Sequence, residues 1–479
     1  MNTWIENVFL DGKPVRIGLE DNRIVRICRT DQADTDCDRK PEDTVIDGQG
    51  TWVYPGFHDS HCHLMMTGQS LMDADLTACS SIAEIQEVLS GQTGSVIHGM
   101  GWNQENLAEK RMPRAQDLDA VSHEVPVIIE RSCTHILAAN TKAMELAGLH
   151  SDSGIFSEDD CRPFLALLEG NEREQISRAV DHFLEAGITA VQPADLKEHN
   201  WERLLPVYKE ASRRIRIHHQ VNITDPDQMK VFLAAAAAYE TDTHTFGPFK
   251  GFADGALGGR TAFMRQEYAD DPGNRGVCTM SFPEMTDFVA AANGLGKPAI
   301  FHAIGDAAIC QVMDSFEKTG DPLLRNGIIH VQITDEDMIG RINENHLLAY
   351  VQPVFKKADL PVLEARVGKS LADASYAFDR LNRVSLGTDS PIEDCSPMQN
   401  LAYAVKDPHA MELEQALKAY TEGSAFAAGM EQQLGRIAPG YLADLVFLDG
   451  PLEEGNWPAV VNTMVNGRLS HPFAENRAA

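Results

Sequence analysis

The chain has 479 residues, 43% of them hydrophobic, with 41 basic side chains against 71 acidic ones and a formal net charge of −30. That length and apolar content support one large domain with a smaller companion. The acidic balance repels phosphate backbones and anionic bilayers, which argues against nucleic acid and membrane surfaces as partners.

Residues 1–54 read as a β-rich segment. Trp4 to Leu10, Val15 to Leu19 and Arg23 to Ile27 are short apolar or alternating runs separated by the turns Asp11-Gly12 and Asp21-Asn22. Met1 to Glu20 carries charges and no long apolar run, so it reads as neither a signal peptide nor an anchor. The longest apolar stretch, Val231 to Tyr239, is too short to span a bilayer. Nine scattered cysteines without a CxxC pair point to free thiols in a reducing cytoplasm. Near the C-terminus, Ala443 to Leu448 and Val460 to Val465, followed by the Asn466-Gly467 turn, read as strands again. The two ends are expected to form one small β-sandwich domain (1–54 plus 430–472).

Between them, over 55–429, short apolar strands alternate with helical stretches, the rhythm of a parallel sheet covered by helices. The strand ending at His61-Cys62-His63 is followed by candidates at Gly187–Gln192, Ile215–Val221, Phe249–Ala253, Pro298–His302, Gly327–Val331, Leu347–Val351 and Val384–Gly387. Eight such βα units predict a (β/α)8 TIM barrel. A long insertion, at about 66–185, separates the first two strands and is expected to lie over the barrel mouth.

Chemistry in such barrels sits at the C-terminal ends of the strands. Those ends carry His61 and His63, Lys250, His302, His330 and Asp389. In an extended strand alternate side chains share a face, so His61 and His63 point the same way, as two ligands of one metal site would. A single histidine at a strand end is commonly a core residue; several at equivalent ends point to a metal. Lys250 is either an ordinary surface lysine or a buried one. A buried lysine loses its proton readily, and the neutral amine can take up carbon dioxide as an anionic carbamate able to bridge two cations.

Three motifs, Pro55-Gly56-Phe57-x-Asp59-x-His61-x-His63, His302-Ala303-Ile304-Gly305-Asp306 and Gly387-Thr388-Asp389-Ser390-Pro391, resemble the amidohydrolase superfamily. The run Phe249 to Ala262 narrows the resemblance to the branch of N-substituted formamide deformylase and YtcJ-like proteins. Gly435 to Val446 is similar to that family's return to the small β domain. The resemblance implies two divalent ions, zinc by preference. His61 and His63 would hold the more buried one and His302 and His330 the second, with carbamylated Lys250 as bridge and Asp389 as ligand and proton shuttle. It implies further that His135 acts on the substrate side, and that Asp254, Gly255 and Arg260 shape the pocket. For Arg260 a loop-stabilising ion pair is an equal reading, and Glu169 is a competing bridging carboxylate. Two departures stand out: His58, read as structural, and Val354-Phe355-Lys356-Lys357 after Gln352-Pro353, which suggests selection of an anionic group.

The reaction implied is hydrolysis of a C–N bond in an amide, formamide or N-acyl small molecule by a metal-activated hydroxide. A mononuclear deaminase is the rival enzyme, but it generally needs a glutamate soon after the fifth-strand histidine, where this chain has Ala303-Ile304-Gly305. A non-catalytic binding protein on the same scaffold is the second rival. A homodimer is the default assembly.

Overall fold

The computed structural model describes residues 2–31, 39–131, 136–168 and 170–473. The chain divides into two compact units, Met1–Leu64 with Val180–Ala479, and Met65–Ala179.

In the first unit, eight parallel strands lie side by side in chain order: β1 (Phe57–Cys62), β2 (Ile188–Pro193), β3 (Arg216–Asn222), β4 (His244–Phe252), β5 (Ala299–Ala303), β6 (Gly327–His330), β7 (Leu348–Val351) and β8 (Val384–Leu386). All eight predicted strands are present, and they form the expected nearly closed TIM barrel. β1, β2, β6 and β7 are buried at every residue, as strands covered on both faces must be. β4 begins at His244, well before the predicted Phe249. The Gly247-Pro248 pair looks like a turn in sequence, but Gly247 serves another purpose. A Cβ there would meet the His218 ring of β3 at 1.9 Å, so glycine lets two strands approach.

β8 meets β1 without a regular ladder. The Asp389 amide donates to the His61 carbonyl at 2.8 Å, and the His63 amide donates to Ser390 at 2.8 Å. The buried Asp59 carboxylate accepts the Thr388 hydroxyl at 2.5 Å, the Thr388 amide at 3.2 Å and the His61 amide at 3.1 Å. Gly387 allows this approach, since a Cβ on it would lie 2.5 Å from the His61 nitrogen.

Both chain ends enter one seven-stranded sheet. Its central strand, Thr44–Pro55, runs parallel to Thr3–Leu10 and antiparallel to Leu445–Leu448, then leads through Gly56 into β1. Ile5, Ile17, Val53, Phe447 and Met464 fill its core. The buried Arg216–Asp444 pair ties the start of β3 to this sheet. Cys28 is disulfide-bonded, which corrects the expectation of free thiols throughout.

The second unit has its own five-stranded sheet and a core around Leu76, Ile85, Trp102 and Ile129. His98 is buried there between Asp73 Oδ1 at 2.6 Å and Glu130 Oε1 at 3.0 Å. Burial opposes its charge, but the two carboxylates prevail and raise its pKa from 6.5 to about 9. A raised folded-state pKa stabilises fully below the unfolded value, and the gain fades as pH climbs through the folded one.

Two outcomes follow from this architecture. Gly387→Ala should lower the stability of the barrel by about 1–3 kcal/mol through overpacking at the β8–β1 junction, read by urea unfolding; an unchanged midpoint would show that the seam has slack. The excess stability of wild type over His98→Gln, read by hydrogen exchange in Ile97–Trp102, should be greatest below pH 6.5 and shrink as pH rises through about 9. A difference that stays constant across that window would mean His98 carries no proton in the fold.

Candidate metal centre

The C-terminal ends of β1, β4, β5, β6 and β8 bring His61, His63, Lys250, His302, His330 and Asp389 together. One ligand atom each from His61, His330 and Asp389 lie within 4.8 Å of one another. Asp389 Oδ1 is 3.3 Å from Nε2 of both His61 and His63. The Lys250 ammonium nitrogen is 3.2 Å from His61 Nε2, and the His302 and His330 rings are 4.5 Å apart between centroids.

Hydrogen bonds decide which nitrogen of each ring is bare. Gln220 donates its Nε2–H to the Ser60 carbonyl at 2.8 Å, so its Oε1 must accept, and His61 Nδ1–H donates to it at 2.6 Å. The same device recurs at His330. Gln352 donates to the Tyr350 carbonyl at 3.1 Å and accepts from His330 Nδ1 at 2.8 Å. In each ring Nε2 then carries the lone pair, which at His61 faces the Lys250 nitrogen. His302 is turned the other way. Its Nε2 faces two acceptors, the Gly255 carbonyl at 3.0 Å and Asp254 Oδ1 at 3.4 Å, so the bare nitrogen is Nδ1.

The consequence is electrostatic. His330 Nε2 and His302 Nδ1, two lone pairs, face each other at 2.9 Å. A cation between them, a metal ion or a shared proton, relieves that repulsion. Burial favours the metal over the proton here, because it pulls His61 down to about 4 and His330 well below its usual value. Asp389 Oδ1 is buried without a hydrogen-bond partner among the described residues, as a carboxylate oxygen reserved for a cation would be. These donors fit a divalent metal of the zinc class.

Lys250 is buried, and desolvation lowers its pKa to about 8 against the opposing pull of Asp389 and Asp195. It is therefore the buried lysine of the two sequence readings. The backbone is strained beside the ligands: His330, Val331 and Asp389 have φ of 82°, 52° and 57°. Non-glycine residues hold such values at a cost of about 1–3 kcal/mol each and concentrate at functional sites.

Other candidates fall differently. Asp254 accepts the amides of Ile304, Gly305 and Phe263, so it organises the loop beneath His302. Gly255 supplies a carbonyl to the same ring. Arg260 forms a two-point ion pair with Asp270, the loop-stabilising alternative. Within the run Val354 to Lys357, Lys356 is buried and donates to the Lys406, Pro408 and His409 carbonyls, so its charge is taken up by the fold. His58 is buried in the barrel, against Gln192. His135 and Glu169 lie outside the described residues. Sequence reading missed Gln220, Gln352 and Asp195, whose Oδ1 is 3.6 Å from His63 Nδ1. The strand-end rule points towards them, since Gln220 lies near the end of β3 and Gln352 and Asp195 just beyond the ends of β7 and β2.

Residues 44–471 match the amidohydrolase family. The chain is 28% identical over 459 residues to the putative amidohydrolase YtcJ of Bacillus subtilis, covering 86% of each protein. It is 24% identical over 486 residues to the N-substituted formamide deformylase of Arthrobacter pascens, covering 85% of each. Among solved structures it resembles an uncharacterized metal-dependent hydrolase from Pyrococcus furiosus, with a TM-score of 0.81 and 26% identity over 94% of this chain and 99% of the other.

The paired glutamines make a prediction of their own. Gln220→Leu or Gln352→Leu removes the acceptor that keeps the proton on Nδ1, and divalent-metal affinity in a chelator competition should fall about 10–100-fold. Unaltered affinity would mean that packing alone orients the rings.

Proposed function

From the premise that this chain belongs to the amidohydrolase family, we propose that it hydrolyses a C–N bond in a small amide, formamide or N-acyl compound, using two divalent ions held by His61, His63, Lys250, His302, His330 and Asp389. The observation that carries this reading is the pair of imidazole lone pairs held face to face at 2.9 Å. The C–N assignment is supported by the likeness to a relative named for deformylation of N-substituted formamides.

When bound, the ions supply a water acidic enough to attack near neutral pH and polarise the scissile carbonyl. The protein's own residues do the rest. Lys250, with its pKa lowered to about 8, offers an appreciable neutral fraction. Its nitrogen lone pair forms an N–C bond with carbon dioxide and releases a proton, leaving an anionic carbamate in a site that disfavours the ammonium. Asp389 takes the proton of the attacking water and delivers it to the departing nitrogen, a role that a buried carboxylate beside the His61 and His63 rings suits. Gly255 and Asp254 keep His302 in its tautomer.

Metal analysis tests this directly. Wild type purified without chelator should carry about two equivalents of divalent metal per chain, and Lys250→Ala about one or fewer, with activity on formamide and N-acyl panels lost together with the metal. One equivalent in both proteins would point instead to a mononuclear centre and a deaminase.

A further inference from the structure

We infer that the barrel carries a second, outer metal site, formed by His182, Asp394 and Cys395 and suited to a zinc-class divalent cation. It is separate from the strand-end centre and does not depend on the reaction proposed for it.

The helix Glu172–Glu185 ends with His182 in its last turn. The loop after β8 supplies Asp394 and Cys395 in succession. One ligand atom each from His182, Asp394 and Cys395 lie within 4.8 Å of one another. Imidazole nitrogen, carboxylate oxygen and thiol sulfur in one cluster form a mixed donor set. The sulfur selects a borderline or soft ion and disfavours magnesium and calcium.

Three features favour a cation there. Among the described residues the His182 ring makes no hydrogen bond or ion pair. The carboxylates of Asp394 and Glu185 both act on Cys395. The C-terminal end of a helix is the negative end of its dipole and attracts positive charge. Cys395 itself is fully buried. Burial, followed by the Asp394 and Asp59 charges, pushes its thiol well above the usual range, so a bare thiolate is costly. A divalent ion removes that cost: the S–H bond breaks, the sulfur lone pair forms the metal bond, and the proton leaves to solvent. Binding therefore weakens as pH falls.

The site has a structural consequence. The loop that carries Cys395 begins at Thr388 and Asp389, which close β8 onto β1. An ion held by His182 and Cys395 would fasten that loop to the helix that leads into β2.

Cadmium titration of the metal-replete enzyme tests the site, because a cadmium–thiolate bond gives an ultraviolet charge-transfer band. Exchange at the histidine-rich centre is silent in this assay, as none of its ligands is a thiol. The expected result is a saturable band that is lost in Cys395→Ser, weakened at least about tenfold in affinity in His182→Ala, and kept in Cys278→Ser, which removes an exposed thiol. Because His182 is only partly buried, its variant remains informative if Cys395→Ser folds poorly. The inference is overturned by absence of a band in wild type, by a band that His182→Ala leaves at full affinity, or by a band that disappears with Cys278.

Discussion

Everything at the candidate centre hangs from a carboxylate that solvent does not reach. Asp59 accepts the hydroxyl and amide of Thr388 and the amide of His61, joining the last barrel strand to the first where no regular ladder does so. Burial pushes its pKa up to about 7, and the same hydrogen bonds oppose the rise. A buried polar group left without those partners would cost several kcal/mol, so the seam is stable only when all of its parts are present. His61, His63 and Asp389 belong to that seam. Their spacing is set by backbone hydrogen bonds across it.

A second constraint concerns protons. An imidazole can ligate a metal through whichever nitrogen lacks a hydrogen, and that choice is made by what the other nitrogen touches. Here two glutamines, each locked by a backbone carbonyl, make the same choice for His61 and His330, while Gly255 and Asp254 make the opposite one for His302. The strands thus divide the work. The ends of β1, β4, β5, β6 and β8 present candidate ligands, and the ends of β2, β3 and β7 hold the groups that orient them. Positive φ at His330, Val331 and Asp389 shows that the backbone is bent from its preferred range to reach this arrangement.

The loops around the centre serve order more than recognition. Asp254 spends its oxygens on three amides and the His302 ring; Arg260 and Lys356 are occupied by Asp270 and by backbone carbonyls. Charged residues that look available in sequence, Arg260 and Lys356 among them, are therefore already used by the fold.

The sequence alone determined the barrel, because parallel strands covered on both faces must be apolar throughout, and that pattern survives in one dimension. It determined the candidate ligands too, since each stands at the end of such a run. His61 and His63 are legible from period-two alternation, and Lys250, His302, His330 and Asp389 from their place after apolar strands. What only the tertiary structure decided is how those groups are held. Gln220 and Gln352 are ordinary polar residues until a neighbouring strand places a ring nitrogen against each. Gly247 reads as a turn until the His218 ring fills the space a side chain would need. Whether Arg260 or Lys356 faces a ligand or an ion-pair partner depends on contacts between residues far apart in the chain. Periodicity records which side of an element is buried; it does not record what lies across from it.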